Sequence, residues 1–374
     1  MSTGTTDPLA SLHDGVDPDD PQDLAALRPY VVNLTRGLLS TDGVMQTPIE
    51  DVDAIFDEHL PRFIADRAAQ GWDGPVPVVF WAHGGIVSES AGLRIAGQQV
   101  PWWRDNGCYP IHFVWETGLS DTLLSVASLI RSMQPTGGRG APWWSVKVSA
   151  QVASRPGGGA YAVAQRLVRF CAENPGRITV HAAGHSAGAI FHSRFVPAVV
   201  ALGGSSGPTF GTLQLLAPAL RVDDFSSTLL PLVGAGVDSL VLYTMTDAAE
   251  QADSCFRVYR RSLLYLVSEL FEDPTDSPLL GMEVAIRASR ELLATFGLDP
   301  AEQRAAEVVW SPTPPDAPPG RRSMAVSHGG FDNDVDTMNS VAGRILGRAV
   351  ATGFPPGRAS ASRLLLPRDD SWTP

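Results

Sequence analysis

The sequence predicts an α/β fold: a mostly parallel sheet flanked by helices on both faces, with helical lid or cap insertions. Three observations carry this. Runs such as "PVVFWA" and "SLVLYTM" are apolar at consecutive rather than alternate positions, the pattern of strands buried on both sides. Longer stretches with helical spacing, such as "AYAVAQRLVRFCAE", separate these runs. Gly-rich turns end two of them, at "AHGG" and "GHSAG". With 44% apolar and 18% charged residues the balance is globular rather than disordered.

Residues 1–28, rich in Asp, Pro, Ser and Thr, are expected to form a flexible tail ordered at most by docking. Residues 29–374 then make one domain. In it "PYVVNLTRG" (29–37) reads as the first strand. The helix in "TPIEDVDAIFDEHLPRFIADRAAQG" (47–71) has Thr47 as cap, Pro48 at its first position and Glu50 completing a capping box, with Pro61 kinking or dividing it. Further strands are expected at 77–85, 109–118, 177–188, 212–220 and 239–247, and a last one within "RSMAVSHGG" (322–330). Residues 119–157 and 248–304 interrupt the alternation and read as insertions, and the Pro-rich 311–322 as a loop.

Composition excludes several classes. A net charge of −12 repels phosphate backbones, so nucleic acid is not an expected partner. No apolar run approaches the roughly 18 residues of a membrane span, and the first residues lack a basic then apolar secretory pattern. The expectation is a cytoplasmic protein without a stable membrane anchor. Cys108, Cys171 and Cys255 are scattered and odd in number, as buried thiols in a reducing compartment would be. No cofactor or metal is expected. No dinucleotide fingerprint or P-loop follows a strand. His181 and His185 are four apart, but on strand and turn rather than on one helix face. "DNDVD" (332–336) resembles the start of a calcium loop, yet Thr337 and Gly343 stand where that loop needs Gly and Glu, so it reads as a cap for the next helix. Its acids would raise the pKa of the nearby His328.

Two segments match G-x-S-x-G. "GGSSG" (203–207) follows a helical stretch and precedes Pro208, as a helix end and loop would. "GHSAG" (184–188) lies between the strand "ITVHAA" and the helical "AGAIFHSRFVPAVVAL". Strand, sharp turn and helix lift a serine hydroxyl above a sheet edge, so Ser186 is the expected nucleophile. A serine needs a base. In the order Ser, acid, His, only His192 and His328 follow it; His192 is fixed on the helix itself, which leaves His328. Asp247 ends the strand "SLVLYTMTD" and is the first choice for the acid, with Asp253, Glu250 and Asp224 as alternatives. The oxyanion donors would be the backbone N–H groups of Ala187 and of Gly85 or Gly84, with Ile86 also in that loop and His83 bracing it.

These motifs together, "HGG" after a strand, "GHSAG" at the turn, Asp247 and "SHGG" near the end, resemble the α/β-hydrolase superfamily over roughly residues 76–346. The "VLYTMTD" strand end is similar to that in little-characterised bacterial families of this type. The chain departs from the HGGG form of the loop, since Ile86 follows the second Gly, and lacks the paired Cys of secreted lipases and cutinases. The resemblance implies a carboxylic ester hydrolase acting on a small-molecule ester through a serine triad. Ile86, His185, Trp143 and Trp144 would line its substrate pocket. The same machinery cleaves amides, and a non-catalytic binding module on this fold is the alternative of a different class.

Overall fold

The computed structural model describes residue 12 and residues 15–85, 87–115, 141–255, 259–299 and 306–356. In chain order its helices and strands are α1 (Pro21–Leu27), β1 (Val31–Thr35), β2 (Leu38–Leu39), α2 (Ile49–Ala54), α3 (Leu60–Ala69), β3 (Val76–Ala82), α4 (Glu89–Asp105), β4 (Tyr109–Trp115), α5 (Ala141–Ala153), α6 (Gly159–Glu173), β5 (Ile178–His185), α7 (Gly188–Gly203), β6 (Phe210–Leu216), α8 (Val222–Thr228), β7 (Leu240–Met245), α9 (Asp247–Ala252), α10 (Leu263–Leu266), α11 (Glu283–Ala288), α12 (Arg290–Thr295), β8 (Ala306–Ser311) and α13 (Val335–Leu346).

The eight strands form one sheet in the order β2-β1-β4-β3-β5-β6-β7-β8. Only the β1–β2 pair is antiparallel. After β3 the chain adds β4 on one side, then crosses to place β5, β6, β7 and β8 successively on the other. The winding therefore reverses between β3 and β5. A crevice opens at the carboxyl ends of strands where such a reversal occurs.

Alternate strand residues enter two separate buried clusters. Val78, Phe80, Leu240 and Leu242 join Val163 and Leu167 of α6 and Phe191 and Phe195 of α7. Val79, Trp81, Val241, Tyr243 and Met245 join Met338, Val341 and Ala342 of α13. Successive side chains of a strand point to opposite faces, so burial of both sets requires the unbroken apolar runs seen in the sequence. Phe113 lies 4.7 Å from Phe191 between ring centroids, and Phe80 5.1 Å from Phe195, so aromatic rings tie β3 and β4 to α7.

Several expectations need correction. Residues 15–28 are held by docking, the order the expectation allowed: α1 buries Leu27, and Val16 packs against Gly97 of α4, where a Cβ would not fit. Thr47 does not cap α2. Its Oγ1 accepts the N–H of Asn33 at 3.0 Å, while Pro48 takes the cap position with no side-chain bond. The segment around Pro61 is divided, as expected: the turn Ile55–His59 widens to π geometry between α2 and α3, and Pro61 sits in the first turn of α3, where a missing N–H is tolerated. Among the described residues the last strand is β8, not "RSMAV". Residues 323–325 run beside it without a strand ladder, tied largely through side chains: Ser323 O accepts from Thr313 N–H at 2.8 Å, Ser323 N–H donates to Thr313 Oγ1 at 3.1 Å, and Ala325 O accepts from the Ser311 hydroxyl at 2.6 Å.

Of the 119–157 insertion, 119–140 lies outside the described residues. The rest is α5, which buries Val146, Ala150 and Ala153 in the main core. In the 248–304 segment, Leu264, Leu279, Ile286 and Leu292 are buried in the same cluster. A buried carboxylate joins these two segments. Glu272 accepts from the Trp143 indole N–H at 2.7 Å and from Lys147 Nζ at 2.5 Å, with Arg221 at 3.5 Å.

Replacing Glu272 by Ala strands the indole N–H and the Lys147 ammonium beside a new void. Chemical denaturation should show a loss of about 2–3 kcal/mol, with Glu272→Gln, which keeps an acceptor for Trp143, losing clearly less.

Candidate functional site

Ser186 stands at the carboxyl end of β5, beside the point where the winding reverses. It follows β5 directly and has φ of +55°, a left-handed conformation uncommon outside glycine. Three main-chain bonds over-determine this turn. Ser186 N–H donates to Leu216 O at 2.8 Å, and its carbonyl accepts from Ala189 N–H and Ala219 N–H, each at 3.1 Å. The flanking glycines are required by close approach. A Cβ on Gly188 would stand 2.2 Å from Ala82 O, and one on Gly184 2.8 Å from the His192 ring. Ala187 is the N-cap of α7, so the helix begins at the serine and directs its unbonded N–H end there.

His328 reaches Ser186 from a short 3-10 turn after β8, Nε2 lying 2.9 Å from Ser186 Oγ. Both side chains are buried. Burial, and then the nearby His185, hold His328 well below the usual imidazole range, so it stands as a neutral ring. If Nε2 accepts from the serine hydroxyl, Nδ1 carries the proton. That nitrogen is buried and has no hydrogen-bond partner among the described residues.

The main chain of His328 is held on both sides. Its N–H donates to Asp253 Oδ2 at 2.9 Å, and its carbonyl accepts from His185 Nε2 at 2.8 Å. Asp253 is therefore the one acid among the four considered that bonds His328. The structure does not bring Asp247 to it. Thr246 caps α9 immediately after β7, which puts Asp247 in the first helical turn, where its carboxylate accepts from Tyr265 Oη and from Gln251 Nε2. The six residues of α9 carry the chain onward, and its C-cap residue, Asp253, meets the histidine turn. Glu250 points into the core and bonds Ser262, and Asp224 pairs with Arg194 at 2.8 Å. Asp332 does not raise His328, as expected above; it pairs with His185 instead. Asp334 of the same run caps α13 through Thr337 N–H at 2.8 Å.

On the β3 side, Gly84 covers the serine. A Cβ there would lie 3.4 Å from both Ser186 Cβ and His185 Nδ1. Gly85 follows, buried, and Ile86 lies outside the described residues. His83 braces this loop. Its Nδ1–H donates to Gly84 O at 2.8 Å, its Nε2 accepts from Trp115 N–H at 3.2 Å, and burial lowers its pKa to about 4. His192 bonds Ala183 O at 2.9 Å and is likewise structural.

The expected pocket residues are not brought together. His185 is interior, bonded to the histidine turn. Trp143 is buried with its indole on Glu272. Trp144 is 66% exposed and borders a cavity of about 310 Å³ with Lys147, Arg194, Arg221 and Asp223, a cavity that Ser186 does not line. What the sequence reading missed is the link from His185 through His328 to Asp253. In "DNDVD" it is Asp334 that caps the next helix, while Asp332 turns to His185. No family model, curated protein or solved structure significantly matches this chain. Among the described residues no helix is long and apolar enough to cross a membrane, and no cluster of metal-ligating side chains occurs.

Two outcomes follow from this packing. Gly188→Ala should lower stability by about 2 kcal/mol or more, since the Ala82 carbonyl is backbone and has nowhere to move; thermal melting checks it. Glu250 has its pKa pushed up to about 8, chiefly by burial. The folded chain thus keeps this proton to higher pH than the unfolded one, so the stability it contributes is full below about pH 4.5 and is lost as pH rises through about 8. Glu250→Gln should melt higher than wild type at about pH 9 and lose that advantage at about pH 4.

Proposed function

We propose that this chain is a serine hydrolase of the α/β-hydrolase type, cleaving a carboxylic ester through an acyl-enzyme. The observation that carries the reading is the 2.9 Å contact between His328 Nε2 and Oγ of a serine held at positive φ between strand and helix. The separation of the sheet's side chains into two clusters, each with its own helices, supports a sheet covered on both faces. The free thiols Cys108, Cys171 and Cys255 support a reducing, cytoplasmic setting.

In this reading Ser186 Oγ bonds to the ester carbonyl carbon as its proton passes to His328 Nε2. The oxyanion accepts from Ala187 N–H at the start of α7 and from the Gly84–Gly85 loop. Collapse breaks the bond to the alcohol, which takes the proton from His328. Water then attacks the acyl carbon, giving a proton to His328, and release of the acid returns that proton to Ser186. The neutral, buried His328 suits a base. We assign the orienting acid to Asp253 rather than Asp247, because among the acids considered it is the one bonded to His328, through the main-chain N–H, while the ring Nδ1 is left for an acceptor.

A fluorophosphonate probe should label wild type and not Ser186→Ala; folded wild type that stays unlabelled would sink the reading. A series of p-nitrophenyl esters of rising chain length would then report acyl preference. Asp253→Asn should cut turnover by about a hundredfold or more while Asp247→Asn stays within a few-fold of wild type.

A further inference from the structure

We infer that His185, anchored by Asp332, is a positioning residue that holds the base His328 against the nucleophile through a hydrogen bond to its carbonyl. The inference rests on the hydrolase reading above and deepens it.

The geometry is specific. His185 Nε2 lies 2.8 Å from His328 O, and its Nδ1 lies 3.5 Å from Asp332 Oδ2. The carbonyl only accepts, so Nε2 carries a proton, and the carboxylate facing Nδ1 favours a second proton there, the imidazolium form. His185 and Asp332 are both buried, so this is an interior ion pair with its remaining donor spent on the histidine turn. Burial opposes that charge, but Asp332 and the bond to His328 O outweigh it and raise the His185 pKa. The titratable groups facing the ring are Asp332 after the histidine turn, His328 itself, and His83 at the end of β3, which burial keeps neutral.

Two consequences matter for chemistry. Residues 185 and 186 are adjacent, yet one holds the carbonyl of His328 and the other meets its ring. The strand that delivers the nucleophile thereby also fixes the base, and with Asp253 on the N–H the peptide groups on either side of the histidine are fixed. The His185 ring is also 5.3 Å from that of His328, close enough for its charge to disfavour a second proton there. The base stays neutral at rest and gives its proton up readily to the leaving alcohol.

Rates of fluorophosphonate labelling in wild type, His185→Phe and His185→Gln test this. Glutamine can donate to the same carbonyl but carries no charge. His185→Phe should label about tenfold more slowly than wild type or worse, and His185→Gln should recover most of that loss. The acid limb of the pH–rate profile should move to higher pH in His185→Gln, because the repelling cation is gone; this arm stands even if His185→Phe fails to fold. Labelled wild type with a normal His185→Phe rate, a His185→Gln rate no better than that of His185→Phe, or an unmoved limb would each overturn this inference alone. Unlabelled wild type would overturn the hydrolase reading and this inference with it.

Discussion

The site depends on how closely β3 and α7 approach across the turn at Ser186. With no side chain on Gly188, the start of α7 lies directly against the Ala82 carbonyl, and with none on Gly184 the His192 ring fits behind the turn. That closeness, together with the bonds from Leu216, Ala189 and Ala219, holds a non-glycine residue at positive φ. A left-handed serine costs of order 1–3 kcal/mol, and it persists only because the surroundings leave no other conformation. The aromatic packing of Phe113, Phe191 and Phe195 beneath the turn keeps α7 at that distance. Core packing and site geometry are here one problem: any residue that pushes α7 outward also relaxes the serine.

The His328 side is built differently. It has no strand of its own. It lies on a short turn beyond β8, and its placement comes from side chains reaching its main chain: His185 to the carbonyl, Asp253 to the N–H. A turn without ladder bonds is ordinarily among the less stable parts of a fold. Two buried or half-buried polar anchors compensate, and both come from the carboxyl edge of the same sheet, β5 and the end of α9 after β7.

The central strands and Ser186 were legible because their physical demands are local. A strand buried on both faces needs consecutive apolar residues, and a strained turn between packed elements needs glycine on each side. β8 was not legible. At the sheet's edge it buries only some of its residues, so "AEVVWS" shows no unbroken apolar run. "SMAV" looks more like a strand, but Met324 is 46% and Val326 70% exposed, with Ala325 turned inward between them. The carboxylate that bonds the His328 turn was not legible for a related reason. Placing Asp247 at the strand end assumes that the chain stops there, whereas Thr246 caps a further helix and the carboxylate that bonds the His328 main chain comes six residues on. His185 was taken for a pocket residue because nothing in the sequence says which of several nearby groups a histidine will meet.

The spacing of acids around α9 gives this part of the fold its logic. Asp247, Glu250 and Asp253 recur every three residues, which on a helix brings neighbouring carboxylates within reach of one another. Three mutually repelling anions would destabilise so short a helix. The structure separates their fates. Asp247 sits in the first turn, favourable for negative charge, and takes donors from Tyr265 and Gln251. Glu250 is driven into the core, where burial makes the neutral form the stable one, and its remaining bond is to Ser262. Its proton removes the middle charge of the series. What remains beyond the helix end is one carboxylate, half-buried, directed to the histidine turn. Asp253 is free to hold the His328 main chain because the two acids before it have been satisfied elsewhere, so the positioning of His328 begins in the packing of α9 rather than at the histidine itself.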